Sequence, residues 1–132
     1  METVIIDAQA LFYLQRTEIP KSLDNLRQYI MEGKIRAIIP TIAISELLWK
    51  IRRSDEAYLQ KLQQAVENWK RSPNIIIDSF DTPIVDMMLQ NRDSYEIHDE
   101  IIAMTCRKYN TSIIYTKDQK FKDIWHLTLR KW

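Results

Sequence analysis

Thr3-Val4-Ile5-Ile6-Asp7-Ala8 opens the chain with a short β-branched apolar run that stops at an acid. The run reads as a buried strand ending at Asp7, because an uninterrupted apolar run of this length suits a strand covered on both faces. The pattern returns in Arg36-Ala37-Ile38-Ile39, closed by Pro40, and in Asn74-Ile75-Ile76-Ile77. It returns again in Ser112-Ile113-Ile114-Tyr115-Thr116, which ends near Lys117-Asp118, and a short tail strand is placed near Leu127–Leu129. Helical patterns separate these runs. Ala8 to Arg16 carries Ala10, Leu11 and Leu14 on one side. Ser22 starts a second helix through Glu32, striped by Leu23, Leu26 and Ile30, with Gly33 placed for a left-handed stop. Thr41 caps a helix whose core stripe is Ile44, Leu47, Leu48 and Ile51. Ser54 caps a longer one to about Arg71, facing inward with Leu59, Leu62, Val66 and Trp69. Thr82-Pro83 starts a helix to about Asn91, and Ile97 to Tyr109 forms another.

Strands alternating with helices predict an α/β fold: a three-layer sandwich with a central, mostly parallel sheet of four to five strands and helices on both faces. The 132 residues suit a single domain over 1–132. Hydrophobic residues at 45%, one Gly and four Pro exclude a disordered or repeat-like chain. No apolar run approaches the roughly 20 residues that span a bilayer, and Met1-Glu2-Thr3-Val4 lacks a signal-peptide pattern. The lone Cys106 cannot form an internal disulfide, so a reducing, cytoplasmic setting is expected. A net charge of +1 does not advertise nucleic-acid binding. Such a role would need the basic residues gathered beside a pocket.

Four acids stand out. Asp7 and Asp118 follow strands, and ligands of open parallel sheets bind outside the strands' carboxyl ends. An Asp at a strand end also serves simply to start a turn, and Asp78 ends a strand in the same way. Asp99 shares a helical face with Ile102, Ala103 and Cys106, so it is turned toward the protein, although its first-turn position also suits capping. Glu100 shares a face with Arg107 and is expected on a solvated side. Glu46 points away from its helix's core stripe and lies between Ile42 and Trp49. That is either a site position or a surface glutamate beside a partly covered tryptophan. Carboxylates gathered in one pocket would repel unless a cation neutralised them, and Mg²⁺ and Mn²⁺ prefer oxygen ligands. Such ions stabilise phosphoryl charge and activate water without a His, Ser or Cys nucleophile. His98 and His126 have no zinc or triad spacing.

Val4-Ile5-Ile6-Asp7-Ala8 resembles the opening strand and first acid of PIN domains. Ile39-Pro40-Thr41-Ile42-Ala43-Ile44-Ser45-Glu46-Leu47 resembles their proline, helix start and second acid. His98-Asp99-Glu100-Ile101-Ile102-Ala103-Met104 is similar to the third acid and the apolar run after it. Thr111 to Phe121 looks like the last strand, Thr-x-Asp and trailing Phe. The resemblance implies an acidic metal pocket of Asp7, Glu46, Asp99 and Asp118, binding Mg²⁺ or Mn²⁺ and cutting RNA phosphodiesters. Thr116 would orient a ligand or its water. Small stand-alone members resemble VapC-type toxins, which implies a homodimer and a small antitoxin partner. The chain departs from the pattern at Ala8-Gln9, where a Ser, Thr or Asn is common, and at Lys120, where an acid is often found. Gln9 can still form hydrogen bonds from a longer side chain.

Lys117 and Lys120 flank Asp118 and are expected to meet substrate phosphates, unless they are ordinary solvated surface. Trp49, with Ile42, is expected at an interface. Two other readings compete with an active nuclease. One is a catalytically weak PIN-like module that binds RNA or protein. The other is a phospho-acceptor domain using Asp7, Asp78 and the Thr116-Lys117 pair, which leaves Glu46 and Asp99 without a role.

Overall fold

In the computed structural model, which describes residues 1–53, 56–91 and 93–132, the alternation of side chains along the strands explains the layering. In β1 (Glu2–Ile6), Val4 and Ile6 pack into one core cluster and Ile5 into the other, on the opposite face. In β2 (Ile35–Pro40), Ala37 and Ile39 likewise oppose Ile38. β1 pairs in parallel with β2 on one side, with Val4 opposite Ala37. On its other side it pairs with β4 (Ile113–Tyr115), with Ile6 opposite Tyr115. β3 (Ile75–Asp78) extends the sheet beyond β2, and β5 (Thr128–Arg130) beyond β4. The five-stranded order is β3-β2-β1-β4-β5, with every pair parallel. The expected α/β sandwich is therefore found, its sheet parallel throughout and its tail strand one residue further on than read. Both faces are covered, which is why its inner strands are apolar at nearly every position.

One face is covered by α1 (Ala8–Leu14), α2 (Lys21–Met31), α3 (Thr41–Ile51) and α4 (Glu56–Arg71), through Leu11, Leu23, Leu26, Leu47, Leu62 and Trp69. The other is covered by α5 (Thr82–Leu89), α6 (Ile97–Lys108) and α7 (Lys120–Asp123), through Ile84, Ile101, Ile102 and Phe121. At fully buried side chains of this size, burial contributes about 1.5–3 kcal/mol each.

Gly33 does what its position required. At φ +75° it lets its own amide reach the Ile30 carbonyl (3.1 Å) and the Lys34 amide reach that of Tyr29 (2.9 Å), closing α2. The helix starts differ from expectation. Pro20 and Pro40, not Ser22 and Thr41, occupy the N-cap positions of α2 and α3, and Asp81 rather than Thr82 occupies that of α5. None of the three makes a side-chain capping bond. Proline's restricted φ leads the chain into a helix without one. The Ser54 cap lies outside the described residues. α1 ends at Leu14 rather than Arg16. α7 was not anticipated, since four residues with one apolar side chain carry no periodicity. Among the described residues, no helix is long and apolar enough to cross a membrane. Cys106 is a free, buried thiol.

Candidate active site

The chain leaves β1 for β2 on one side of the sheet, whereas β4 lies on the other. This divergence opens a crevice at the carboxyl ends of β1 and β4, where ligands of such sheets bind. Asp7 and Asp118 both stand there. The Asp7 amide donates to the Tyr115 carbonyl (3.2 Å), carrying the strand register into the site. Asp7 is also the N-cap of α1, and its Oδ1 accepts the Ala8 amide at 2.7 Å. Its Oδ2 accepts the Thr116 hydroxyl at 2.8 Å. Thr116 is fully buried, and its Oγ1 in turn accepts the Asp118 amide at 3.1 Å. One hydroxyl thus ties the two strand-end acids together. Gln9 reaches the same place: its Oε1 lies 3.4 Å from Thr116 Oγ1 and accepts the Lys117 amide at 3.0 Å. The longer side chain therefore fastens α1 to the loop after β4.

Asp99 and Glu46 approach from α6 and α3. The Asp99 amide donates to Glu96 Oε2 at 2.8 Å, so the N-cap of α6 fixes the turn that carries Asp99. Asp99 Oδ2 accepts the Lys120 ammonium at 2.9 Å, and that ammonium lies 3.6 Å from Asp118 Oδ2. Glu46 Oε1 lies 3.5 Å from His98 Nδ1. Burial pushes the Asp7 carboxyl above its ordinary range. The hydrogen bonds from Thr116 and Ala8 oppose this, while the charges of Asp99 and Asp118 add to it. Glu46 is pushed up to about 6, first by burial and then by the charge of Asp7. His98 partly opposes the shift, and Asp99 adds to it. The charges of Asp99 and Asp118 thus reach Asp7, and those of Asp7 and Asp99 reach Glu46.

The donor set is all oxygen and more anionic than the buried surroundings favour, which fits a hard divalent cation. Among the described residues no three His, Cys, Asp or Glu side chains form a ready ligand cage. Asp99 and Asp118 are turned onto Lys120 instead.

The other predicted residues fall around this centre. Lys117 turns to the rim, its ammonium 5.0 Å from the centre of the Trp132 ring. Ile42, Trp49 and His98 line a second pocket with Glu46. Trp49 is 58% exposed and stacked under Arg53 at 4.1 Å. Asp78 stands apart at the end of β3, bound by Tyr109 Oη (2.6 Å) and the Lys108 ammonium (2.9 Å). It is held in an ion pair at the end of β3, apart from the four acids of the crevice. Glu100 corrects the sequence reading. It is buried, not solvated, because α5 packs against α6, and its Oε1 accepts the Asn91 side-chain Nδ2 at 3.3 Å. Arg107, its supposed surface companion, turns to the Met104 sulfur at 3.9 Å. Glu96 and the placement of His98 beside Glu46 were missed. Glu is not among the preferred capping residues, and nothing local shows that α3 meets α6.

A family model described as PIN domain matches residues 4–126. No curated protein matches the chain. Among solved structures, FitAcB from Neisseria gonorrhoeae superposes with a TM-score of 0.67 at 17% identity, covering 96% of this chain and 95% of that one. VapBC2 from Rickettsia felis, bound to a DNA fragment from its promoter, gives 0.68 at 19% identity and 98% of both chains. VapC20 from Mycobacterium tuberculosis, described as a sarcin-ricin loop cleaving toxin, gives 0.62 at 12% identity, covering 91% of this chain and 93% of that one. At these identities the structural likeness speaks for the fold.

Proposed function

The chain belongs to the PIN domain family, and from that premise we propose that it is a divalent-metal-dependent endoribonuclease, the toxin of a toxin–antitoxin pair. The observation that carries this reading is the gathering of acids at the β1/β4 crevice: the Thr116 hydroxyl joins Asp7 to the Asp118 turn, and the Lys120 ammonium lies between Asp118 and Asp99. Asp7, Asp99 and Asp118, with Glu46, are the residues to hold Mg²⁺ or Mn²⁺. When bound, such an ion neutralises charge on a phosphoryl oxygen and activates water. Thr116 holds Asp7 and the Asp118 turn in place, and Gln9 braces the loop that carries them. Glu46, at about 6, is suited to take a proton near neutral pH. Lys120, with its side chain 54% exposed, would meet a phosphate oxygen, and Lys117, 5.0 Å from the Trp132 ring, would offer with it a charged, aromatic rim for an unpaired nucleotide. The buried thiol of Cys106 suits a reducing cytoplasm.

The test is incubation of a pooled RNA with the protein and Mg²⁺ or Mn²⁺, comparing wild type with Asp99→Asn. Cutting that depends on the ion and disappears in the folded variant is expected. Equal cutting by both would remove Asp99 from the site. The departures at Gln9 and Lys120 support a second reading, a PIN-like module that binds RNA with little turnover. In that case RNA would be retained but not cut.

The Trp49–Ile42 surface beside Glu46 is proposed as the contact between two copies of the chain. A tryptophan 58% exposed with an arginine stacked on it is the kind of anchor that interfaces use. Trp49→Ala is expected to shift sedimentation from dimer toward monomer with little change in the far-UV spectrum. An unaltered sedimentation coefficient would remove this patch from the interface.

A further inference from the structure

We propose that Lys120 acts as a built-in second cation of the acidic site, so that the protein binds one divalent ion there rather than two. The inference rests on the proposed nuclease reading and specifies how that site is charged.

Three observations carry it. The ammonium of Lys120 lies 2.9 Å from Asp99 Oδ2 and 3.6 Å from Asp118 Oδ2, so it bridges two of the four acids. Its backbone is fixed: the Lys120 amide donates to Asp118 Oδ1 at 3.0 Å, and the next residue, Phe121, is fully buried in the core. The lysine therefore leaves from an anchored point beside the acids, not from a free loop. The acid it meets is anchored too: the Asp99 amide donates to Glu96 Oε2 at 2.8 Å at the start of α6.

A lysine ammonium is a compact positive charge with three donors and no capacity to accept. Between Asp99 and Asp118 it relieves the repulsion that a second metal would otherwise relieve, and it opposes entry of another cation on that side. Asp7 takes its bonds from the Ala8 amide and the Thr116 hydroxyl rather than from Lys120, so the single ion is expected on the Asp7 side of the four acids. With its side chain 54% exposed, Lys120 can also turn to a substrate phosphate while the carboxylates keep the metal. An ordinary surface ion pair adds little to stability and has no bearing on how many ions bind. The number of ions therefore separates the two cases.

The experiment is titration of the full chain with Mn²⁺, followed by calorimetry and by loss of the free-ion electron paramagnetic resonance signal, for wild type, Lys120→Gln and Lys120→Asp. Circular dichroism checks that each is folded. Wild type is expected to bind one ion per chain. Lys120→Gln is expected to bind on the order of tenfold more tightly, as fits removal of one opposed charge at a partly screened site. Lys120→Asp is expected to take up a second ion. Two ions in wild type, or the same count and affinity in all three proteins, would overturn the proposal while leaving the metal site in place. Weaker binding in Lys120→Gln would also overturn it, by showing that the lysine supports the ligands. Absence of Mn²⁺ binding in all three would sink the metal-dependent nuclease reading itself.

Discussion

Asp7→Asn is expected to abolish Mn²⁺ binding and lower RNA cleavage by about 10²–10³-fold, a loss typical for a key electrostatic group, while making the metal-free protein more stable. The substitution is nearly isosteric. The asparagine oxygen can keep the Ala8 amide, and its NH₂ can donate to Thr116 Oγ1, whose hydroxyl then turns to Gln9 Oε1. The fold therefore keeps its bonds and loses only a buried charge.

The pH dependence follows in sign. Asp7 and Glu46 are both raised in the folded protein, Glu46 from 4.5 to about 6. The folded state thus holds protons that the unfolded state releases. This contribution is complete below the unfolded values and is lost as pH rises through the folded ones. For Glu46 the window runs from about 4.5 to about 6 and is worth at most about 2 kcal/mol, less after solvent screening. Wild type without metal should therefore lose stability across that window. Asp7→Asn should lose less, because it lacks the Asp7 charge and part of the field on Glu46. Thermal melts in EDTA between pH 4 and 8 measure this. A variant less stable than wild type at pH 7.5 would show that the Asp7 charge is not strained.

Phe121→Ala is expected to cost about 3–5 kcal/mol, the usual penalty for emptying a phenylalanine site in a packed core. Against a typical total of about 5–15 kcal/mol, that is a severe loss. Phe121 is fully exposed to the core and not at all to water, and it packs against Trp125 with ring centres 5.6 Å apart. Its amide donates to the Asp118 carbonyl (3.3 Å), and its carbonyl accepts the Leu127 amide (3.1 Å). These backbone bonds, which alanine also makes, tie the acidic turn to the chain entering β5, and the buried ring holds that stretch of backbone in place. Metal binding should weaken along with stability, even at temperatures where the variant is folded. Ile84→Ala serves as the comparison. Ile84 is fully buried in the same cluster, but on α5, an element that carries none of the four acids. If both variants lose equal stability and equal Mn²⁺ affinity, Phe121 does not hold the site specifically.

Much of the fold was legible because its signals are local. Val4-Ile5-Ile6 and Ile38-Ile39 are apolar at each step because the sheet is covered on both faces, and Gly33 sits where a left-handed residue closes α2. The helix starts were less legible. A proline before a serine or threonine can cap by its own backbone shape, and the sequence alone favours the hydroxyl. Glu100 was misread because one helical face pair, Glu100 and Arg107, looks solvated until α5 is laid over it.

The candidate acids could be picked out one at a time from strand ends and helical faces. The sequence by itself determined which residues can make strands and helices and which carboxylates break an apolar pattern, because hydrophobic period and turn chemistry act over a few residues. Only the tertiary structure decided that β4 lies beside β1, that one threonine hydroxyl joins Asp7 to the Asp118 turn, and that the Lys120 ammonium sits between Asp99 and Asp118. Those relations join residues up to 109 positions apart. They are set by which strands become neighbours and by how charges settle in a shared crevice, and neither is written in any local run of the chain.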